Sequence, residues 1–248
     1  MGNMDKQMHL AAQYLAAAGI NFVPKKEDDS HTNLGFSILK RSLETHPLSE
    51  KGDTLSLSYA SFSLQWSSPN NTESLALDGV SHQAILQWIN NLSERFLSEA
   101  YSYGFHYELP YEITDDHVFE LSDSKRLAEL KQLRILAQSA LKETLASTKL
   151  ESPIRVWPHH FDSGAFVRLN EQVSLGFGMA IPDSVCNEYY FYISGYRGHD
   201  PIAPDSFLPL SKGEWKNDTF VGGVLAAENV ALSDVVSFFE EAIARYRK

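Results

Sequence analysis

The chain has 248 residues, of which 43% are hydrophobic and 21% charged, a composition typical of a folded globular protein. Its 21 basic and 32 acidic residues give a formal net charge of -11. Because nucleic acids and anionic membrane surfaces attract basic proteins, this charge argues against both kinds of partner. The single cysteine, Cys186, excludes an internal disulfide and is interpreted as a small, half-buried residue.

The N-terminal segment lacks the charged and then apolar pattern of a signal peptide, and its apolar run over 11–18 is too short to span a bilayer. A cytoplasmic location is therefore expected. Basic residues such as Lys131 and Arg134 stand at helical spacing among acidic residues, which is typical of a solvated helix face. No internal repeat of fixed period is evident along the chain.

Four segments carry apolar residues at the three- and four-residue steps of an amphipathic helix. The first covers 5–18, and Gly19 is expected to stop it. The second follows Ser81 and the last follows Ser233, two residues of a type that is common at helix N-caps. The third and longest helix is predicted over 124–147.

Alternation of apolar and polar residues predicts strands in the segments between these helices. Segment 55–66 is unusual, because its apolar residues are odd-numbered up to Tyr59 and even-numbered from Phe62 onward. A bulge near Tyr59 and Ala60 would return both sets to one face of the sheet. A turn at 69–71 then predicts a hairpin with the strand that follows it.

The order of these elements predicts an α+β fold, with one extended antiparallel β-sheet or two abutting sheets covered by three to four α-helices. We expect a single domain over 1–248, with a soft division near residue 151, where the helical pattern gives way to strands. The sequence leaves the oligomeric state open.

The hexapeptide 157–162, Trp-Pro-His-His-Phe-Asp, brings together two imidazoles, a carboxylate and two large aromatic rings. It is interpreted as the start of a strand, in which His159 and His160 point to opposite faces. His160 and Asp162 then share one face, where the carboxylate either orients the imidazole or neutralises its charge. A buried pair with a purely structural role is the favoured interpretation.

The strand that begins there is predicted to form a hairpin with 173–181 around a turn at Asn170 and Glu171. A loop of even length sets Phe166 opposite Leu175. One face of the returning strand is apolar, and the other carries the small residues Ser174, Gly176, Gly178 and Ala180. Glycine there indicates close approach of a ligand or of a helix, and a helix is favoured, since sheets in α+β domains are seldom bare.

The segment 156–162, Val-Trp-Pro-His-His-Phe-Asp, resembles the F-W-G-S-F-D-L strand of an uncharacterised bacterial domain family. Segment 34–43, Leu-Gly-Phe-Ser-Ile-Leu-Lys-Arg-Ser-Leu, is similar to the L-Y-V-x-x-R-G-L segment of the same family. The resemblance covers most of the chain, and the Phe-Asp pair is its specific part. It implies a shared fold but no reaction, because the family has no established activity.

Two functional hypotheses follow. In the first, the protein is a non-catalytic small-molecule or protein-interaction domain, and the candidate binding residues of its aromatic cleft are Trp157, His159, His160, Phe161, Asp162, Tyr190 and Tyr192. In the second, it is a metal-assisted or acid–base enzyme that uses His160, Asp162 and His199, a set suited to zinc or iron. The first is favoured, because no complete catalytic set or known metal signature is present. The cofactor is left unknown, and a divalent metal is possible but not favoured.

Overall fold

The computed structural model describes residues 2–109, 111 and 113–247. Over this range the chain forms four α-helices, α1 to α4, with the bounds Asn3–Phe22, His82–Leu97, Ser124–Thr148 and Leu232–Tyr246. The strands, β1 to β12, are Gly35–Ser37, Ser42–Glu44, Thr54–Ser58, Ser63–Ser68, Asn71–Ala76, Arg155–Trp157, Asp162–Arg168, Val173–Ala180, Tyr190–Arg197, Asp200–Pro201, Glu214–Asn217 and Val221–Ala226. They form two antiparallel sheets, which confirms the predicted α+β fold. Within the described ranges, no helix is both long and apolar enough to cross a membrane.

The described chain divides into two compact units. The first comprises the residues up to Gln132 together with Val156–His159, and the second comprises Leu133–Arg155 and the residues from His160 onward. The chain therefore passes from one unit to the other inside α3 and again at both ends of Val156–His159. Each unit contributes its own set of buried hydrophobic side chains.

The sheet of the first unit has the strand order β1-β2-β3-β4-β5. Helix α1 of this unit is buried along most of its length, so that it has no broad solvated face. The expected stop at Gly19 is wrong, because the helix continues to Phe22. Gly19 instead permits close packing, since a Cβ there would lie 2.8 Å from the carbonyl oxygen of His31.

Within 55–66 the chain reverses direction between the odd-numbered and the even-numbered apolar residues. The predicted bulge is therefore wrong. Strand β3 ends before a four-residue turn over 59–62, and β4 then returns with Leu64 opposite Leu57. Phe62 closes the turn with a φ of 46°. Because the chain folds back on itself, both apolar sets face the core, as expected, but through a hairpin. The predicted hairpin between β4 and β5 is confirmed.

The second sheet has seven strands, which are β11, β12, β9, β8, β7 and β6 in spatial order, and β10, which pairs with β9. Helix α4 covers the apolar face of β8 and β9, where the Phe239 ring lies 5.2 Å from that of Phe177 and 6.0 Å from that of Phe191. The N-cap of α4 is Ala231, and the predicted cap at Ser233 is wrong.

Both units contain the same arrangement of strand, turn and helix. An offset of 150 residues aligns β5, its turn and α2 with β12, its turn and α4. At the turn, Gly79 and Asn229 have φ values of 74° and 57°. The N-caps that follow, Ser81 and Ala231, have the same extended conformation. The structure therefore repeats a strand, a turn and a helix that the sequence does not show as a repeat, since few side chains at equivalent positions are identical.

Candidate functional site

The hexapeptide 157–162 is a turn and not the start of a strand. Strand β6 ends at Trp157, residues 158–161 form a four-residue turn, and β7 begins at Asp162. The predicted alternation of His159 and His160 across a strand is therefore wrong. His159 is half-buried in the turn and His160 is exposed. Pro158 is the local cause, because its fixed φ suits the first turn position and does not suit a central strand.

Helix α1 anchors the beginning of this turn within the first unit. The carbonyl of Pro158 accepts hydrogen bonds from His9 Nε2 over 2.7 Å and from Gln13 Nε2 over 2.9 Å. Because a carbonyl oxygen can only accept, His9 carries a proton on Nε2. Its Nδ1 forms a short contact with the Tyr111 hydroxyl, which can donate to a neutral ring. A buried carbonyl is thus fully satisfied by α1.

The side chains of Trp157 and His159, both predicted to bind ligand, lie among aromatic rings of the first unit. The His159 ring lies 5.3 Å from the Tyr107 ring and 6.2 Å from the Trp157 ring. Both side chains therefore pack against aromatic rings of that unit.

Arg134 holds the end of the turn within the second unit. Its side chain is only 2% exposed, so the predicted solvated face is wrong at this position. The guanidinium donates to the Phe161 carbonyl over 2.6 Å and to Ser163 Oγ over 2.8 Å, and it lies 4.3 Å from the centre of the Phe161 ring. Phe161 needs this support, because its φ of 56° is unfavourable for an aromatic residue.

The carboxyl group of Asp162 is enclosed by the second unit. Its Oδ2 accepts a hydrogen bond of 2.7 Å from the Tyr192 hydroxyl. Its Oδ1 is closed to solvent and has no hydrogen-bond partner among the described residues. Burial raises the pKa of Asp162, and this effect outweighs the Tyr192 hydrogen bond and the nearby side chains of His160 and Arg134, which act in the opposite direction. Burial, together with the Asp162 charge, raises the pKa of Tyr192, which remains a hydrogen-bond donor.

The register of β7 and β8 differs by one residue from the prediction. Phe166 lies opposite Gly176 and not opposite Leu175. The loop has three residues, because Asn170 Oδ1 accepts from the backbone N–H groups of Gln172 and Val173, each over 2.9 Å. The shift exchanges the two faces of β7, so the predicted placement of His160 and Asp162 on the apolar face is wrong.

We call the other side of this sheet its outer face, and it carries Asp162, Gly164, Phe166, Arg168, Gly176, Tyr190, Tyr192 and Tyr196. The small residues of β8 do point to this face, as expected, but the predicted helix does not cover them, since α4 packs on the opposite face. On this face a tyrosine side chain packs against a glycine of β7, since a Cβ at Gly164 would lie 3.1 Å from the Tyr192 hydroxyl. Glycine at 164 therefore leaves room for the hydrogen bond between Tyr192 and Asp162.

A pocket of about 360 Å³ lies near Tyr190 in the second unit, because Ala226, which lines the pocket, is paired with Tyr190 in the sheet. Tyr190 donates to Asp183 Oδ2 over 2.8 Å. Its pKa is raised by burial first and then by Asp183, with smaller contributions from Cys186 and Asp162, so these groups all lie close to it. The residues that line the pocket include Val185, Cys186, Glu214, Lys216, Val224 and Ala226.

The structure does not bring the proposed metal ligands together. Asp162 lies level with Tyr190 at the beginning of β9, whereas His199 lies in the turn between the end of β9 and β10. Seven residues of extended chain separate the two ends, a distance of roughly 23 Å. Within the described ranges, no group of three or more His, Cys, Asp or Glu side chains could hold a metal ion.

Comparison of the chain with protein families, with curated proteins and with solved structures found no match in any of the three. The site is therefore assessed from its own geometry. Sequence reasoning missed Arg134 and Lys216. For Arg134 a signal existed, because steps of three and four residues from Leu127 and Leu130 reach Arg134 before Ala137. Lys216 carries no comparable signal, since a short strand with one lysine is common.

Proposed function

We propose that this protein is a non-catalytic binding protein, and that its pocket near Tyr190 holds a small apolar molecule with one anionic group. The pocket volume of about 360 Å³ carries the proposal. Pockets for small ligands measure about 300–1,000 Å³ and combine apolar walls with a few polar groups. Here Val224 and Ala226 supply apolar wall, and Lys216 supplies a cation.

The ammonium group of Lys216 can exchange its partner for a ligand anion. It forms an ion pair of 3.1 Å with Glu214, whose side chain is 66% exposed. Exposed ion pairs contribute only about 0–1 kcal/mol to stability, so replacing Glu214 by an incoming carboxylate costs little. The Lys216 side chain itself is less exposed, at 26%, which favours a fixed position for the ligand anion.

Octanoate tests this proposal, because it combines an apolar chain with one carboxylate. We expect saturable binding by titration calorimetry, and we expect both Lys216→Gln and Ala226→Phe to weaken it about tenfold, which corresponds to about 1.4 kcal/mol. Lys212→Gln is the matched control, since Lys212 is paired with Asp234 over 2.6 Å and does not line the pocket. Failure of octanoate to bind, or equal affinity in all variants, would contradict the proposal.

Acid–base catalysis at Asp162 is the second candidate function. One observation favours it: a carboxyl with a raised pKa whose Oδ1 has no hydrogen-bond partner among the described residues. In the metal-assisted form, His160 and Asp162 need a further ligand, and elemental analysis for zinc, iron and manganese is the test. Stoichiometric metal that Asp162→Asn loses would support the enzyme, and metal content that ignores this substitution would count against it.

The remaining parts of the proposal concern the cellular location, the partners and the family of the protein. A cytoplasmic location is supported by the single cysteine, because disulfides are common in secreted proteins. The net charge of -11 supports a partner other than nucleic acid or an anionic membrane. The Phe-Asp pair at 161–162 supports membership of the family with the F-W-G-S-F-D-L strand.

A further inference from the structure

Two aromatic side chains stand side by side on the outer face, away from the pocket near Tyr190. Phe166 of β7 and Tyr196 of β9 have ring centres 6.5 Å apart and ring planes inclined by 38°. Gly176 of β8 lies between them. A Cβ there would lie 3.7 Å from Phe166 Cδ2 and 3.8 Å from Tyr196 Cε2, so glycine leaves the cleft between the two rings open.

The exposure of this pair sets it apart from ordinary surface residues. Phe166 is 63% exposed although it lies in the middle of a seven-residue strand. A single exposed apolar side chain needs no explanation, but adjacent rings form a continuous apolar surface. Such a surface can stack against a further ring, and aromatic pairs contribute about 0.5–1.5 kcal/mol beyond the area that they bury.

A cation lies next to the two rings. Arg168 lies two residues after Phe166 on the same face of β7. Across the sheet, Ser174 of β8 lies between Arg168 and Tyr196. Among the described residues, no carboxylate forms an ion pair with Arg168, whose hydrogen bond to the Glu171 carbonyl is long at 3.5 Å. In a chain with a net charge of -11, a guanidinium without a carboxylate partner is available to an external anion.

We propose that Phe166, Tyr196 and Arg168 form a binding site for a planar aromatic carboxylate. The ligand ring lies across the two protein rings above Gly176, and its carboxylate receives two parallel hydrogen bonds from Arg168. Residues two apart in a strand are about 6.8 Å apart, a separation that lets one short aromatic acid reach both the rings and the guanidinium. This site is independent of the pocket near Tyr190 and of its proposed ligand.

The probe for this site is 2-naphthoate, followed by titration calorimetry on the full chain. We expect saturable binding with a Kd below about 1 mM, and about fivefold to tenfold weaker binding in Phe166→Ala and in Arg168→Gln. Two control variants should bind as the wild type does. The first is Leu208→Ala, which removes an apolar side chain that is 61% exposed, close to the value for Phe166. The second is Arg197→Gln, which removes an exposed arginine of β9.

Two further measurements test the cleft at Gly176 and the role of the ligand carboxylate. Gly176→Leu should block binding by filling the cleft, and Gly176→Ala checks the fold, because its Cβ would make only ordinary contacts. Replacing 2-naphthoate by the neutral 2-naphthalenemethanol should weaken binding to the wild type but not to Arg168→Gln. Absence of saturable binding would overturn the inference. Loss of 2-naphthoate binding in Lys216→Gln but not in Arg168→Gln would also overturn it, because the ligand would then occupy the pocket.

Discussion

Arg134 stabilises a backbone conformation that Phe161 would not adopt by itself. A left-handed conformation costs a non-glycine residue roughly 1–2 kcal/mol. Hydrogen bonds from a charged donor contribute about 1.5–3 kcal/mol each, so the bond to the Phe161 carbonyl offsets that cost. The turn therefore depends on Arg134 of α3, which lies 27 residues before Phe161, as well as on the fixed φ of Pro158.

Replacing Arg134 by methionine should lower the free energy of unfolding by roughly 3 kcal/mol or more, because the Phe161 carbonyl and Ser163 Oγ lose their charged donor. Urea denaturation followed by tryptophan fluorescence measures the change. Lys131→Met on the same helix is the matched control, with an expected change of less than about 0.5 kcal/mol. Equal effects of the two substitutions would contradict the role given to Arg134.

Asp162 should make the stability of the protein depend on pH in a defined direction. Its pKa in the folded protein is raised above the ordinary value of 3.8, so folding favours the protonated form. Below 3.8 both the folded and the unfolded carboxyl are protonated, and the group's stabilising contribution is fully present. As the pH rises, the unfolded carboxyl ionises first, and this contribution is lost up to the raised pKa.

Asp162→Asn removes this dependence, because asparagine remains neutral and can still accept from Tyr192. The free energy of unfolding of the variant, relative to the wild type, should therefore increase as the pH rises above about 4. Urea denaturation at several pH values measures the difference, and Asp205→Asn controls for loss of a loop carboxylate. A constant difference between Asp162→Asn and the wild type across that range would show that the burial of Asp162 has been misjudged.

At the scale of elements, the two equivalent helix starts differ in one side chain. Ser81 Oγ accepts a hydrogen bond of 3.3 Å from the backbone N–H of Ala84, whereas Ala231 has no side-chain oxygen to offer. The backbone is extended at both caps, with ψ values of 154° and 160°. Asp234 already accepts from the Ala231 N–H over 3.1 Å, so a serine at 231 would complete a capping box.

Inverse substitutions at these caps should have opposite effects. Ser81→Ala should lower the free energy of unfolding by about 1 kcal/mol, and Ala231→Ser should raise it by up to about 1 kcal/mol. Thermal and urea denaturation of the two single variants measure both changes. Changes of the same sign would indicate that the two turns, although 150 residues apart in sequence, are not equivalent in solution.

Periodicity predicted the helices and the α+β class, because long amphipathic stripes report burial without reference to distant residues. Periodicity failed to predict the strand register where a side-chain hydrogen bond determined the backbone conformation of a loop. Asn170 stabilises a three-residue loop between β7 and β8, where a loop of even length was predicted. The register of β7 therefore differs by one residue from the prediction, and Asp162 lies on the outer face. The sequence therefore singled out Asp162, Tyr190 and Tyr192 by residue type, but it placed Asp162 on the wrong face of the sheet.

At the scale of the whole molecule, the two units do not divide at a single point of the sequence. The first unit uses Val156–His159, in which Val156 forms a β-bridge with Leu34 and Pro158 binds His9 through its carbonyl. The second unit uses the C-terminal part of α3. A division near 151 is visible as a change of composition, but composition does not report which segments fold together.

A fragment that begins at residue 151 should therefore fail to fold, whereas one that begins at residue 133 should unfold cooperatively. The longer fragment keeps Arg134 with its hydrogen bond to Phe161, and it keeps the carbonyl of Thr148, which accepts from Arg247 over 3.0 Å. It also retains the buried residues Ala137, Ala140 and Leu141 of α3, whose loss would expose apolar surface of the second unit. Urea denaturation of both fragments, followed by circular dichroism and by the fluorescence of Trp157 and Trp215, measures the difference. Cooperative unfolding of the shorter fragment with the same midpoint would show that α3 contributes nothing to the second core.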